Sequence, residues 1–516
     1  MIWSLFIACN WNKSDTNPLT EDEPTCNITC VQEYVVSTPE ELEPLQSCSR
    51  MTENLTITNM DSFDLPCLDT IDGRLIIENN TDMSNLSGLS NLSVVNGSLI
   101  LRNNDTLQSL SGLDNLISVG GTLIVENNHA MLNLQGAPKL IEIGSSIQIE
   151  NNSSMETLSG LEQVTKLQYD LEIYQNPSLI TLDGVGGLTR IDRRISISEN
   201  TSLMDIDALS AITGLQEVTI RDNNSLTNVD GLSRLAYATW QIRIVGNPAL
   251  RSLQGLQSLR FVDGNFVLEN NESLLDLQGL ENVEYVYDYF FIDGNDSLES
   301  LRGLSSLTDV FGAMSITNNE RLLSLEGLES LAFPGWDFRV TANQSLQTLK
   351  GVESVQSVVH LVIEENPSLQ SIDGFVGVSS VDGDIYIQNN AALTQVNGFS
   401  NLQTIGESLV IASNSNLTSI NDISTLQKVD GALSIFDNPS LETIDGFSSL
   451  EEVGGWFFLA NNDSLLALDG FPQLNRVEGG IEISGNDILC EEEVQSFITD
   501  ITVLGETIVE NNAACQ

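Results

Sequence analysis

The chain has 516 residues, 41% of them apolar, so it can bury a large core. Its 72 acidic and 20 basic residues give a formal net charge of −52. So negative a surface repels nucleic acid and anionic lipid headgroups, which excludes nucleic acid as a partner.

Met1 to Ala8 read Met-Ile-Trp-Ser-Leu-Phe-Ile-Ala, an apolar run that ends in a small residue before Cys9. This run is similar to the tail of a bacterial lipoprotein signal peptide, whose cysteine is lipidated and becomes the new N-terminus. Phe6 stands where leucine is usual and no Lys or Arg precedes the run, so a truncated start or a misplaced start codon is expected. Residues 1–9 are expected to be a signal remnant with Cys9 as the lipidation site. The alternative is a eukaryotic signal remnant with a free cysteine. Residues 10–25 are polar and suit a flexible tether. No apolar stretch reaches the length of a membrane helix, so membrane contact is expected only through a lipid on Cys9. The polar ending Asn511-Asn512-Ala513-Ala514-Cys515-Gln516 excludes a GPI-type tail.

Next come four cysteines, Cys26, Cys30, Cys48 and Cys67, just before a repeat array. Cys490 and Cys515 follow it, and none lies inside it. This placement predicts disulfide-stapled caps over 26–73 and 490–516 and an oxidising compartment. The pairing of the first four stays open, while Cys490 is expected to join Cys515. Zinc is disfavoured because Cys26-x-x-x-Cys30 has no second close pair. No metal and no cofactor are expected.

The array spans 74–489 and aligns on one asparagine: Asn80, Asn104, Asn128, Asn152, Asn176, Asn200, Asn223, Asn247, Asn271, Asn295, Asn319, Asn343, Asn366, Asn390, Asn414, Asn438, Asn462 and Asn486. Every step is 24 residues except two of 23, Asn200 to Asn223 and Asn343 to Asn366, which divide the eighteen coils into three blocks of six. Three and five residues before each asparagine stands an apolar residue, as in Leu123 and Val125, with mostly polar residues between. Alternation of period two predicts a short strand with one buried face. After the asparagine, apolar residues recur at about every third position, as in Leu107, Leu110, Leu113, Leu116 and Val119. With Ser, Asp, Asn and a recurrent Gly between them, they suit tight turns rather than a helix. The asparagine marks the end of the strand, where its amide can bond the backbone of its own coil and the next. The fold class is therefore all-β, one parallel β-helix of about eighteen coils. Coils stacked about 4.8 Å apart would make it roughly 85–90 Å long. After Cys490, the apolar Val494, Phe497, Ile498 and Ile501 fall at helical spacing and predict a short capping helix.

Three segments at the start of this array, Cys48-Ser-Arg-Met-Thr-Glu-Asn-Leu55-Thr-Ile57, Asp64-Leu-Pro-Cys-Leu68 and Ile71-Asp-Gly73-Arg-Leu-Ile-Ile77, resemble the opening of the receptor L-domain. That is the leucine-rich-repeat-like ligand-binding domain of insulin- and EGF-receptor ectodomains. The Gly-x-Leu-x-Ile-x-Asn-Asn coils are similar to the same family, over about residues 48–490. The resemblance implies a right-handed β-helix on the outside of a cell. It fixes no ligand, because the family's binding residues are not a set motif. The chain lacks the receptors' cysteine-rich module, transmembrane helix and kinase, so signalling is not implied.

Residues two, four and six before each asparagine should point outward. Most are polar or small. The exceptions are Ile76, Ile100 and Ile124 in one row, Tyr289 with Phe291, then Val362, Tyr386 and Val410, and finally Phe436, Trp456 and Phe458. Exposed aromatic and aliphatic rows make binding surfaces, although β-formers also simply favour strands. The candidate binding residues are Tyr289, Phe291, Tyr386, Val410, Phe436, Trp456 and Phe458. Trp240 and Trp336 are one residue out of phase and would cover a sheet edge. Glu78, Glu126 and Glu150 line the same face and are better explained as solvated than as calcium ligands, since no EF-hand or nonapeptide pattern occurs. Two histidines, His129 and His360, and no Gly-x-Ser-x-Gly, phosphate loop or His-Glu-x-x-His give catalysis little support. The expected function is non-catalytic: an extracellular or cell-surface adhesion or ligand-binding protein, as an outer-membrane lipoprotein if Cys9 is lipidated, with a protein or glycan as partner. The alternative is a passive structural spacer of an envelope or matrix, and a polysaccharide-active β-helix enzyme is a distant third.

Overall fold

Alternation decides the strand. In Leu123–Glu126, Leu123 and Val125 are fully buried while Ile124 and Glu126 stay partly exposed. The computed structural model, which describes residues 25–514, stacks this strand in parallel on Leu99–Arg102 and Ile147–Glu150 with like positions in register. The same pairing runs from Tyr34–Val36 to Thr507–Glu510 and makes a parallel solenoid of about 20 turns. Two of its strands, Tyr34–Val36 and Leu55–Thr58, lie inside the segment expected to be only a cap. A second flank is built from two-residue strands such as Val94–Val95, Ser118–Val119 and Glu142–Ile143. Between the flanks the chain turns a corner.

The apolar residues at every third position after each asparagine point inward, while others between them, such as Leu132, Ile141 and Met204, stay exposed. Leu107, Leu110, Leu113, Leu116 and Val119 are fully buried, and one continuous core runs from Cys30 to Ile501. Turns carry most of this arc, with single 3-10 turns at Ser87–Leu89, Asp207–Leu209, Asp230–Leu232 and Gln254–Leu256. The two 23-residue steps are absorbed at the corner. Leu215 and Val358 stand eight residues before their asparagines, where Val119 and Val381 stand nine before theirs.

Each asparagine is fully buried and bonded on both sides. Asn128 Oδ1 accepts the backbone N–H of Asn104 at 3.1 Å and its side-chain amide at 3.1 Å. Asn128 Nδ2 donates to Leu101 O at 2.9 Å in the previous coil and to Glu126 O at 3.0 Å in its own. The ladder crosses both short steps, with Asn200 N to Asn223 Oδ1 at 3.1 Å and Asn343 N to Asn366 Oδ1 at 3.0 Å. It also continues past Asn486 to Asn512, which bonds Asn486 N at 3.2 Å and Ile483 O at 2.8 Å.

The residue before every rung is left-handed, with φ from 53° at Asn151 to 66° at Gly246 and Gly485. Asn and Gly fill most of these positions because they tolerate that conformation. Ala342, at φ 56°, has neither advantage. Ala342→Gly is expected to stabilise the protein by about 0.5–1 kcal/mol. A urea midpoint that fails to rise would refute the strain.

The ends are stapled as the cysteines suggest, and the open pairing is now resolved as Cys26–Cys67 and Cys30–Cys48. Cys490 is disulfide-bonded, and its expected partner Cys515 lies outside the described residues, as do Cys9 and residues 10–24 of the tether. The helix forms at Glu491–Thr499, where Val494 is fully buried and Phe497 packs on Phe457 and Phe471 at 5.8 and 6.1 Å. It does not end the stack. It replaces the turns of a last coil, whose strand Thr507–Glu510 pairs with Ile481–Ser484.

Candidate functional site

The pairing sets the outward rows of the long strands. One row runs Val267, Phe291, Ser315, Arg339, Val362, Tyr386, Val410, Ser434, Phe458. The seven expected binding residues therefore form three groups. Tyr289 and Phe291 stack their rings at 5.5 Å. Tyr386 and Val410 are neighbours across coils, and Val362 beside them is nearly buried. Burial and the adjacent Asp384 carboxylate push the Tyr386 phenol pKa up, so Tyr386 stays neutral. Ser434 separates that pair from Phe436 and Phe458, whose rings meet edge-on at 5.5 Å. Trp456 is exposed at 41% and lies over Gly480 of the next coil. Ile76, Ile100 and Ile124 do stack in one row.

Acidic groups on this face are largely engaged. Glu78 Oε2 accepts Arg102 at 2.6 Å. The Glu150 carboxyl pKa is raised by burial and then by the charges of Glu126 and Glu172, which disfavours crowding more carboxylates there. Among the described residues one cluster has metal-ligand chemistry, His360, Asp384 and Glu407, whose ligand atoms lie within 4.8 Å of one another. Two of the three already serve the backbone. His360 Nδ1 accepts the Asp384 amide at 3.2 Å, and Asp384 Oδ1 accepts the Ser408 amide at 2.8 Å. Ser98, Ser146 and Asn265 take the equivalent amide in other coils. The trio is thus part of a second, strand-start row of acceptors. His129 has Ser153 Oγ at 3.4 Å, and His360 has Asp384 Oδ2 at 3.5 Å, in coils far apart.

A stronger concavity sits at the corner, where the outward alternation of the long strand does not apply. On the short flank Tyr237, Phe261 and Tyr285 stack face to face at 5.8 and 5.3 Å. Beside them, three consecutive coils align Tyr287-Asp288-Tyr289, Phe311-Gly312-Ala313 and Gly335-Trp336-Asp337. Small Gly312 and Ala313 lie between large neighbours and leave a cleft of about 640 Å³. Pro334 is buried at the corner and Gly335 has φ 98°, a turn that lifts Trp336 to 67% exposure. Trp240, at 54% exposure, occupies the same corner position four coils earlier without entering the cleft. Tyr289 is the one expected binding residue that lines it.

Comparison with known proteins bears on the scaffold. Residues 47–155 match the family model of the receptor L domain. The family match and the disulfides fit an extracellular protein, and the repeats fit a ligand-binding or protein-interaction solenoid. No curated protein matches the chain. Among solved structures, TLR13 in its complex with ssRNA13 is similar at 13% identity and a TM-score of 0.26, covering 90% of this chain and 86% of that one. An internalin from Listeria monocytogenes is similar at 16% identity and a TM-score of 0.29, covering 79% and 88%. A leucine-rich repeat protein from Bacteroides ovatus is similar at 14% identity and a TM-score of 0.19, covering 78% and 87%. Among the described residues no helix is long and apolar enough to cross a membrane.

Proposed function

We propose that the protein is a non-catalytic adhesion or ligand-binding protein of the cell surface that engages its partner through outward side chains of the solenoid. The observation that carries this is a scaffold whose core is complete without them. Full burial of the inward rows leaves Tyr289, Trp456 and the Phe436–Phe458 pair at the surface, where they contribute little to the core. Exposed aromatic groups of this kind are the anchors of binding surfaces. Two disulfides near the N-terminus support an oxidising location. Lipidation of Cys9 would place the rod on a membrane surface.

The test is binding of the purified protein to a glycan array and to intact cells, with calcium and with EDTA. Selective binding is expected, weakened about tenfold by Tyr386→Ser with Phe458→Ser, the loss of two aromatic anchors. Absence of binding in both conditions would leave the spacer reading, which the unbroken asparagine ladder favours.

A further inference from the structure

The corner cleft has a lining that selects its ligand. Aromatic rings and carboxylates face it, together with the His360 imidazole. Tyr287, Phe311 and Trp336 offer aromatic surface, with the Tyr287 and Phe311 rings 5.6 Å apart. Asp288 and Asp337 offer carboxylates from the two coils that flank the Gly312–Ala313 floor. No Lys or Arg lines it. Asp337 Oδ2 accepts Arg339 Nε at 2.7 Å, but Asp337 Oδ1 is buried and has no hydrogen-bond partner. A buried acceptor without a donor is costly, so Arg339 compensates the Asp337 carboxylate at one oxygen only and its charge still reaches the cleft.

Each ligand class meets this lining differently. An anion is repelled by Asp288 and by the net charge of −52. A neutral apolar group would desolvate Asp288 without pairing its charge. A neutral sugar would stack on Trp336 but leave the charges of Asp288 and Asp337 unpaired. An alkylammonium is attracted by both halves of the lining, through ring faces and through the carboxylates. We infer that the cleft formed by Tyr287, Phe311 and Trp336 with Asp288 and Asp337 binds a lysine side chain of a basic protein segment. The acidic surface of the rod draws the segment in, and the cleft fixes one residue of it. This rests on the ligand-binding function proposed above and names a partner chemistry and a place for it.

The probes are three short peptides of Gly and Ser around a single lysine, unmodified, trimethylated or acetylated. Binding is measured by fluorescence anisotropy with the full chain at about 0.15 M salt, where distant charges are screened. The unmodified and trimethylated peptides are expected to bind, and the acetylated one about tenfold more weakly, since acetylation removes the charge but keeps the stem. Phe311→Ala with Trp336→Ala should weaken binding about tenfold, the loss of two cation–π faces, while Trp240→Ala leaves it unchanged. Circular dichroism checks that the variants fold, as the exposure of Trp336 leads one to expect.

Equal binding of the acetylated peptide would overturn the inference in favour of an apolar partner. Binding untouched by the double substitution would place the peptide on the general acidic coat. Failure of all three peptides while the array or cells bind would remove this inference and leave the proposed function standing. Loss on Tyr386→Ser with Phe458→Ser alone would move the contact to the long sheet.

Discussion

Asn271→Ala is expected to cost about 3–5 kcal/mol, because one truncation leaves several buried groups unpaired at once. Asn271 Oδ1 accepts both the backbone and side-chain amides of Asn247, each at 3.3 Å. Asn271 Nδ2 donates to Ile244 O at 2.9 Å and to Asn295 Oδ1 at 3.3 Å. Alanine satisfies none of these, and water cannot replace the amide at a site with no exposure. A long repeat array need not unfold in one step, so the loss is best measured by hydrogen exchange at the Asn247 amide beside a urea curve. A loss below about 1 kcal/mol would mean that the ladder is geometry without energy.

Gly184→Ala is expected to cost about 3 kcal/mol or more, for a different reason. Gly184 has φ 117°, and a Cβ there would run into the carbonyl of Leu158 in the coil beneath. Backbone, not a mobile side chain, is in the way. Gly186 supplies the control two residues on. Its added Cβ would meet nothing nearer than Ala208 O at 3.9 Å, and Gly186→Ala should change stability by less than about 0.5 kcal/mol. Equal thermal shifts for the two variants would contradict close coil-to-coil packing at Gly184.

Much of this scaffold is legible in one dimension because each coil repeats the same contacts. The spacing of Leu107, Leu110 and Leu113 after Asn104 names the core, and the recurrent asparagine names the ladder. What escapes is local. The pairs Asn79-Asn80 and Asn103-Asn104 carry two roles, a left-handed residue and a rung, and only the second follows from burial and spacing. Asn512 is hidden as a rung because Glu491–Thr499 stretches its step beyond the repeat. The cleft is hidden because period two holds only within the strand. Tyr287, Phe311 and Trp336 stand at the bend before it, where alternation does not say which way a side chain points. The steps of 24 residues from Tyr237 to Phe261 to Tyr285 were the visible sign of an aromatic flank, and Gly312-Ala313 among aromatic coils the sign of a hollow.

Neighbour-only stacking also sets how the molecule would behave under load. A coil is held by the coils on either side of it, and an end coil by one. Tension between the chain ends therefore peels turns from an end rather than shearing the whole rod. Each coil of 24 residues, about 4.8 Å of rod, would pay out roughly 80–86 Å of extended chain. The two N-terminal disulfides, which close 41 and 18 residues of sequence, lock the first turns against that release. A protein anchored near residue 26 and pulled from its far end would thus act as an extensible cable, lengthening more than tenfold in steps before its anchor is strained.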